Sequence, residues 1–224
     1  MYSVTRWWML RCDFDHHIDT KNTEEAQKFY NAGIRLLTAN KKKLGLWLTI
    51  AAVFPATALL LHAEGRLWIC ACGKLLAWSG KVCSADNSQH FLDPYSFTHL
   101  LHGVLFFWLI YWLAPRWPAT TQLLLATAAE AAWELFENTN FIIERYRSTT
   151  AALGYNGDTV VNSFGDIVCC IAGFLIAQRL GLRRSVILFF AFELVLIIWI
   201  HDSLLLEILM LIVPLNAIKA WQMC

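Results

Sequence analysis

The chain has 224 residues, of which 58% are hydrophobic and only 16% charged, against roughly 25% charged in an ordinary soluble domain. With a mean hydropathy of +0.48 and long uncharged apolar runs, it fits neither a single-core soluble globule, nor a disordered chain, nor a disulfide mini-protein. Lys+Arg 18 against Asp+Glu 17 leaves a net charge of +1, so no global excess attracts nucleic acid.

Residues 1–43 read as an arm. Met1 to Leu10 lacks the continuous apolar core of a secretory signal, and Asp13, Asp15 and Asp19 argue against a transit peptide. Residues 20–39 pattern as a short amphipathic helix, capped by Thr20 or Asn22, with Phe29, Ile34, Leu36 and Leu37 as its apolar contacts. Trp7 and Trp8 suit the headgroup region, where indoles favour the wet–dry boundary.

Residues 44–224 read as a transmembrane bundle. Crossing the hydrocarbon core takes about 20 mostly apolar residues, because no water is there to satisfy the backbone. Six stretches qualify: 44–62 with a kink at Pro55, 97–114, 118–136, 159–178, and the shorter 185–200 and 203–218. The predicted fold is therefore an all-α polytopic bundle of about six transmembrane helices behind an N-terminal amphipathic arm.

Positive charge sets orientation. Residues 1–45 carry eight Lys/Arg, including Lys41, Lys42 and Lys43; Arg116, Arg179, Arg183, Arg184 and Lys219 follow at alternate junctions. Six spans put all of these on the cytoplasmic or matrix side. Residues 63–96, 137–158 and 201–202 then face outward, with Arg66, Lys74, Lys81, Arg145 and Arg147 diluting the bias.

Against this background the acids stand out. A charge at mid-bilayer costs about 2.5–3.5 kcal/mol on insertion scales, so Glu130, Glu134, Asp166, Glu193 and Glu207 must face the bundle interior, be protonated, or lie near an interface. His99 and His102 share one helix face. Glu130, Glu134 and Glu137/Asn138 share another, and Asp158, Asn162 and Asp166 a third, which Gly173 continues as a close-packing position. With His201 and Asp202 as the fourth, four segments thus bring polar groups to one depth at the outer side. Three readings are open: a buried network with Arg145 and Arg147 neutralising acids; a zinc-type site on His99 and His102 with Glu134 or Asp158; or an acid/base site with candidates His99, His102, Glu134, Asp158 and Asn162, where Arg145 and Arg147 bind lipid phosphate.

Cys70, Cys72 and Cys83 fall on the outer, oxidising side. They admit a disulfide from Cys83 to Cys70 or Cys72, or a metal site completed by His90. Cys169 and Cys170 read as apolar packing residues.

Several stretches carry a family resemblance: Cys70-Ala-Cys72-Gly73; Asp86-Asn-Ser-Gln-His90; Tyr95 through Gly103 with both histidines; Glu130-Ala-Ala-Trp133-Glu134-Leu-Phe-Glu137-Asn138; Phe141 through Arg147; Tyr155 through Ser163; and Ala217 through Gln222. From about residue 64 onward the chain resembles an uncharacterised alphaproteobacterial inner-membrane family, which implies a fold and a membrane but no reaction. More distantly, His102, Glu134, Arg147, Asp158, Asn162 and Gly173 follow an order similar to that of VanZ-like membrane proteins. The added arm, taken with that ancestry, suggests a mitochondrial descendant. The expected function is a non-catalytic accessory subunit of a mitochondrial inner-membrane complex of respiratory type, with other membrane subunits and lipids as partners, no nucleic acid, and no cofactor beyond a bound phospholipid. The rival is a membrane enzyme or binder acting on a lipid or isoprenoid-phosphate headgroup at the outer leaflet.

Overall fold

The computed structural model describes residues 27–28, 31, 39–150 and 154–223, and all regular structure among them is helical. Most of the expected arm, including Trp7 and Trp8, lies outside the described residues. Within it Gln27, Lys28 and Asn31 are helical, and the Gln27 amide donates to the Asn31 side chain. Residues from Trp47 onward form one compact unit, which holds every site discussed below.

Helix α1 (Ala39–Ala63) is long and apolar enough to cross a membrane and stays helical through Pro55. Helix α2 (Ser96–Leu113) is a second such segment. Helix α3 (Ala119–Glu137) has 19 residues, enough to cross, and is less apolar because Gln122, Glu130 and Glu134 are on it; all three are buried. A short amphipathic helix, α4 (Asn140–Thr149), follows, its first turn capped by the Thr139 hydroxyl, which accepts from the Ile142 N–H.

Helix α5 (Val160–Ile200) spans 41 residues, broken at Gly181, where φ 73° and ψ 172° leave the helical region. The contacts on either side show that the chain reverses there. In the first leg Phe174 packs on Phe107 in an edge-on ring contact. In the second leg the Trp108 indole donates to the Ser185 hydroxyl at 2.8 Å, and Phe192 and Trp199 stand against Phe97, about three turns back along α2. A residue with φ > 0 permits the reversal, and glycine adopts it without Cβ strain. The expected fourth and fifth spans are thus two antiparallel legs of one broken helix.

The expected sixth span does not form. Helix α6 (Leu204–Ile212) has nine residues, about 14 Å at 1.5 Å per residue, half of what a crossing needs. Its run stops before Pro214, and helix α7 (Asn216–Gln222) returns to the end of the bundle that carries α4: Trp221 packs at a tilt on His201, and the Lys219 ammonium donates to the Ser148 carbonyl at the end of α4. Glu207 consequently belongs to the loop-bearing end of the bundle and not to a mid-membrane position.

At the heart of the unit α2 and the first leg of α5 meet backbone to backbone. Gly103 faces the Cys170 carbonyl and Phe174, while Gly173 faces the Leu100 carbonyl. A Cβ at either glycine would overlap the opposing main chain. The expectation that Gly173 is a close-packing position holds, and Gly103 is its counterpart. Around this seam Leu101, Val104, Phe107, Leu123, Phe174, Phe189 and Leu196 form the apolar core.

The segment 64–95 lies across the start of α5 without regular structure of its own. Val160 and Val161 donate backbone N–H groups to Leu67 and Trp68, and Thr159 donates to Ser88. Gly165, buried in the first turns of α5, touches the Phe91 carbonyl. This loop roofs one end of the bundle, and the polar residues gather beneath it.

Candidate metal centre

Because α2 and α5 touch through glycines, side chains flanking that seam are driven into a small shared volume. His99, one turn before Gly103 on α2, and Asp166, two turns before Gly173 on α5, both enter it. Glu130 and Glu134, one turn apart on α3, complete it from the third side. Glu130 and Glu134 are fully buried, Asp166 is 3% exposed and His99 7%.

His99 Nδ1 lies 2.6 Å from Glu130 Oε1 and 3.2 Å from Glu134 Oε1, and its Nε2 lies 4.0 Å from Asp166 Oδ2. His102 Nδ1 also turns to Glu130, at 3.2 and 3.1 Å from its two oxygens. Glu130 therefore takes both imidazoles, and a single N–H on His99 Nδ1 cannot serve Glu134 as well. Both Glu134 oxygens, Asp166 Oδ1, Asn162 Nδ2 and Ser163 Oγ are buried with no hydrogen-bond partner. Buried polar groups are almost always paired, because an unpaired one forfeits its hydration for nothing.

No Lys or Arg side chain among the described residues comes within ion-pair distance of these acids; their cationic partners are the histidines alone. Three carboxylates in so dry a place need protons or a cation. Donor atoms of His99, His102 and Glu130 fall within 4.8 Å of one another, as do those of His99, Glu134 and Asp166. Imidazole and carboxylate together suit a divalent first-row transition metal. A cation here would engage the Glu134 and Asp166 oxygens.

The other expected site residues separate from this centre. Asp158 is paired in full: its carboxylate accepts from the Asn138 amide at 2.8 Å and the Tyr155 hydroxyl at 3.0 Å, and its N–H donates to Asn138 Oδ1 at 2.7 Å. It latches the end of α3 to the start of α5. Burial pushes its carboxyl above the ordinary range, and the Asn138 and Tyr155 bonds pull it back. Asp93 plays a like part at the start of α2, accepting from the Ser88 and Tyr95 N–H groups at 2.8 Å each. Asn162 is on the same stripe as Asp166, with the Thr159 hydroxyl capping its N–H.

Arg145 and Arg147 do not neutralise the buried acids. Arg145 donates to the Leu211 and Ile212 carbonyls, bracing the end of α6. Arg147 donates to the Tyr155 carbonyl and the Asn156 side chain. Cys70 and Cys72 are bonded to each other through their sulfurs, and Cys83 is likewise disulfide-bonded.

Glu130 and Asp166 were absent from the sequence-derived catalytic and metal candidates. The signal for both was present, since each lies four residues from a candidate, Glu134 or Asn162, on the same helix face. What the spacing could not supply is which faces of α3 and α5 point at His99.

The fold and this centre define a class: an all-helical protein of membrane-spanning composition, with a buried histidine–carboxylate cluster beneath a loop roof. The chain belongs to the family described as Protein of unknown function (DUF2585), whose profile matches residues 61–224. It is 41% identical over 191 residues to a UPF0314 protein of Brucella anthropi, covering 84% of this chain and 97% of that one. Over 188 residues it is 43% identical to a UPF0314 protein of Sinorhizobium fredii, with 83% and 95% covered. A Sphingopyxis alaskensis UPF0314 protein is 43% identical over 176 residues, with 79% and 94% covered. No solved structure matches.

These relatives overturn the expected accessory subunit of a mitochondrial respiratory complex. They are bacterial proteins of unknown function, matched over almost their entire length. The mitochondrial reading rested on the arm, most of which lies outside the described residues.

Proposed function

We propose that this protein is an inner-membrane metalloprotein of bacterial type that binds a lipid or isoprenoid-phosphate headgroup at the outer leaflet. The observation that carries the reading is the set of unpaired buried oxygens on Glu134 and Asp166 beside two histidines. In this reading α1, α2, α3 and the two legs of α5 cross the bilayer, and α6 and α7 stay at the outer face. The arginines support that orientation: the Trp108–Ser185 bond brings the ends of α2 and of the second leg together, so Arg116 and the Arg179, Arg183, Arg184 group share the inner end.

His99, His102, Glu130, Glu134 and Asp166 hold the ion, which supplies Lewis acidity when bound. Its anionic ligand enters past His102, the cluster member with the most exposed side chain at 12%. There the imidazole stands edge-on to Trp133 and beside Phe106, between an apolar approach and the polar interior. Arg145 and Arg147, half-buried at the same end, add positive potential while bracing the loops.

The test is native mass spectrometry of nanodisc-embedded protein offered a polyprenyl phosphate, with metal content measured in parallel. Wild-type protein retains both. His102→Ala and Glu134→Gln, each made on Cys72→Ser protein so that only the histidine–carboxylate centre is read, are expected to lose metal and ligand together while remaining folded. Ligand retention by the metal-free Glu134→Gln protein would refute the reading.

A further inference from the structure

A second set of metal-ligating side chains lies in the roof, outside the centre just described. Sulfurs of Cys70 and Cys72, a carboxylate oxygen of Asp86 and a ring nitrogen of His90 all fall within 4.8 Å of one another. Cys70 is 5% exposed and His90 1%, so one sulfur and the imidazole are buried, while Cys72 is exposed and Asp86, 46% exposed at its side chain, closes the set from solvent. This imidazole is held by the set itself and by one long backbone contact: its Nε2 stands 3.7 Å from Asp86 Oδ1, and its Nδ1 accepts from the Leu76 N–H at 3.4 Å. The turn between the cysteines aims a backbone donor at a sulfur, with the Cys72 N–H 3.1 Å from Cys70 Sγ, and Gly73, at φ 72°, lets the chain fold back so that its N–H reaches the Cys70 carbonyl. Backbone N–H groups directed at sulfur stabilise thiolate charge, as they do around metal-bound thiolates.

We propose that Cys70, Cys72, Asp86 and His90 form a zinc-type metal site once a dithiol reductant has delivered two electrons to the Cys70–Cys72 bond, the dithiol leaving as its own disulfide and the two sulfurs as thiolates, and that this site staples the roof. The bond between Cys70 and Cys72 seen in the structure cannot perform that task. It closes a loop of three residues, and the constraint a cross-link places on the unfolded chain grows with the loop it closes. The segment that needs holding runs from 64 to 95 without helix or strand, a length at which an irregular loop in a compact protein calls for an internal anchor. An ion shared by Cys70 and Cys72 with Asp86 and His90 closes the stretch from 70 to 90, the greater part of that segment. Two thiolates, an imidazole and a carboxylate give four ligands of the types zinc takes in closed sites, with no position left for a substrate. The inference does not depend on the histidine–carboxylate centre, which offers no thiolate.

Cobalt(II) substitution reads the site directly, because only a thiolate ligand gives sulfur-to-cobalt charge-transfer absorption in the near ultraviolet. The experiment uses full-length protein purified in detergent under mild reductant and loaded with cobalt. The expected result is a charge-transfer band in wild type and in His99→Ala. Cys72→Ser should abolish most of it, and His90→Ala should weaken and shift it. Zinc added to the wild type should displace the band stoichiometrically. A maleimide-labelling experiment on unsubstituted wild type, read on the peptide that carries Cys70 and Cys72, covers the case in which variants fail to fold: both thiols should be protected until a chelator is added, with the peptide mass showing them unoxidised. A peptide lighter by two hydrogens, with labelling that appears after reductant alone and is indifferent to chelator, would identify a plain disulfide and overturn the proposal. So would the absence of a charge-transfer band in reduced wild-type protein.

Discussion

Replacing Gly103 by alanine tests the contact that creates the buried centre. A Cβ at this position falls 2.6 Å from the Phe174 nitrogen and 2.9 Å from the Cys170 carbonyl carbon, with the carbonyl oxygen nearer still. Ordinary van der Waals contact begins at 3.4 Å, and all three opposing atoms are main chain, so no rotamer change relieves the overlap. The helices must part by about 1 Å or distort. Overpacking of this kind costs about 1–3 kcal/mol, and here the upper end applies. Alanine recovers up to about 1 kcal/mol of helix propensity over glycine, leaving a net loss of about 2 kcal/mol. For a chain of this size that lowers Tm by about 4–8 °C. Gly45→Ala is the matched control: it is helical, and no atom of the described residues lies within 4 Å of the added methyl, so it should leave Tm unchanged or raise it. Gly173→Ala should resemble Gly103→Ala, and the double variant should lose less than the sum, because helices parted once accommodate both methyls. Thermal melts of detergent-solubilised protein by circular dichroism provide the assay. A Gly103→Ala protein melting at or above wild type would show that α2 and α5 do not meet through their backbones.

Burial pushes Asp202 up to about 7, with the Ser203 N–H and the Tyr95 hydroxyl pulling it back. The folded state then keeps a proton that the unfolded chain releases near the ordinary value of 3.8, so stability is greatest at low pH, falls as pH rises from about 4 to 7, and is level above. At 1.36 kcal/mol per unit the effect is of order 4 kcal/mol, and Asp202→Asn should flatten that slope in melts run across pH. Asn138→Ala strips Asp158 of the amide that pairs with both its carboxylate and its N–H; leaving these buried groups unpaired should cost about 2–3 kcal/mol, measured by the same melts. Gly181→Ala places a Cβ at φ 73° and ψ 172°, an essentially glycine-only region that costs an L-residue about 1–3 kcal/mol. It should lower Tm by a few degrees although nothing crowds that position.

Much of the fold could be read from hydropathy, because an apolar run of the right length dictates its own helix wherever water is absent. The stretches 44–62, 97–114 and 118–136 match α1, α2 and α3 to within a few residues. The stretch 203–218 failed because hydropathy averages across Pro214, whereas the backbone breaks there and Lys219 and Trp221 find partners in Ser148 and His201. Helical spacing correctly gathered His99 and His102, Glu130 and Glu134, and Asn162 and Asp166 into faces. It could not decide which faces converge, since that depends on Gly103 and Gly173 letting two backbones touch. The role of Arg145 was hidden for a related reason: its partners, the Leu211 and Ile212 carbonyls, lie far along the chain, and a backbone carbonyl leaves no mark in a sequence.

X-ray absorption at the metal edge, on Cys72→Ser protein extracted from its own membrane, tests the buried centre most directly, since that variant removes the thiolate set in the roof. The centre predicts a stoichiometric transition metal with imidazole and carboxylate oxygen in its first coordination shell, lost on His99→Ala. A folded Cys72→Ser protein that carries no metal, or whose metal survives His99→Ala with an unchanged ligand shell, would contradict it.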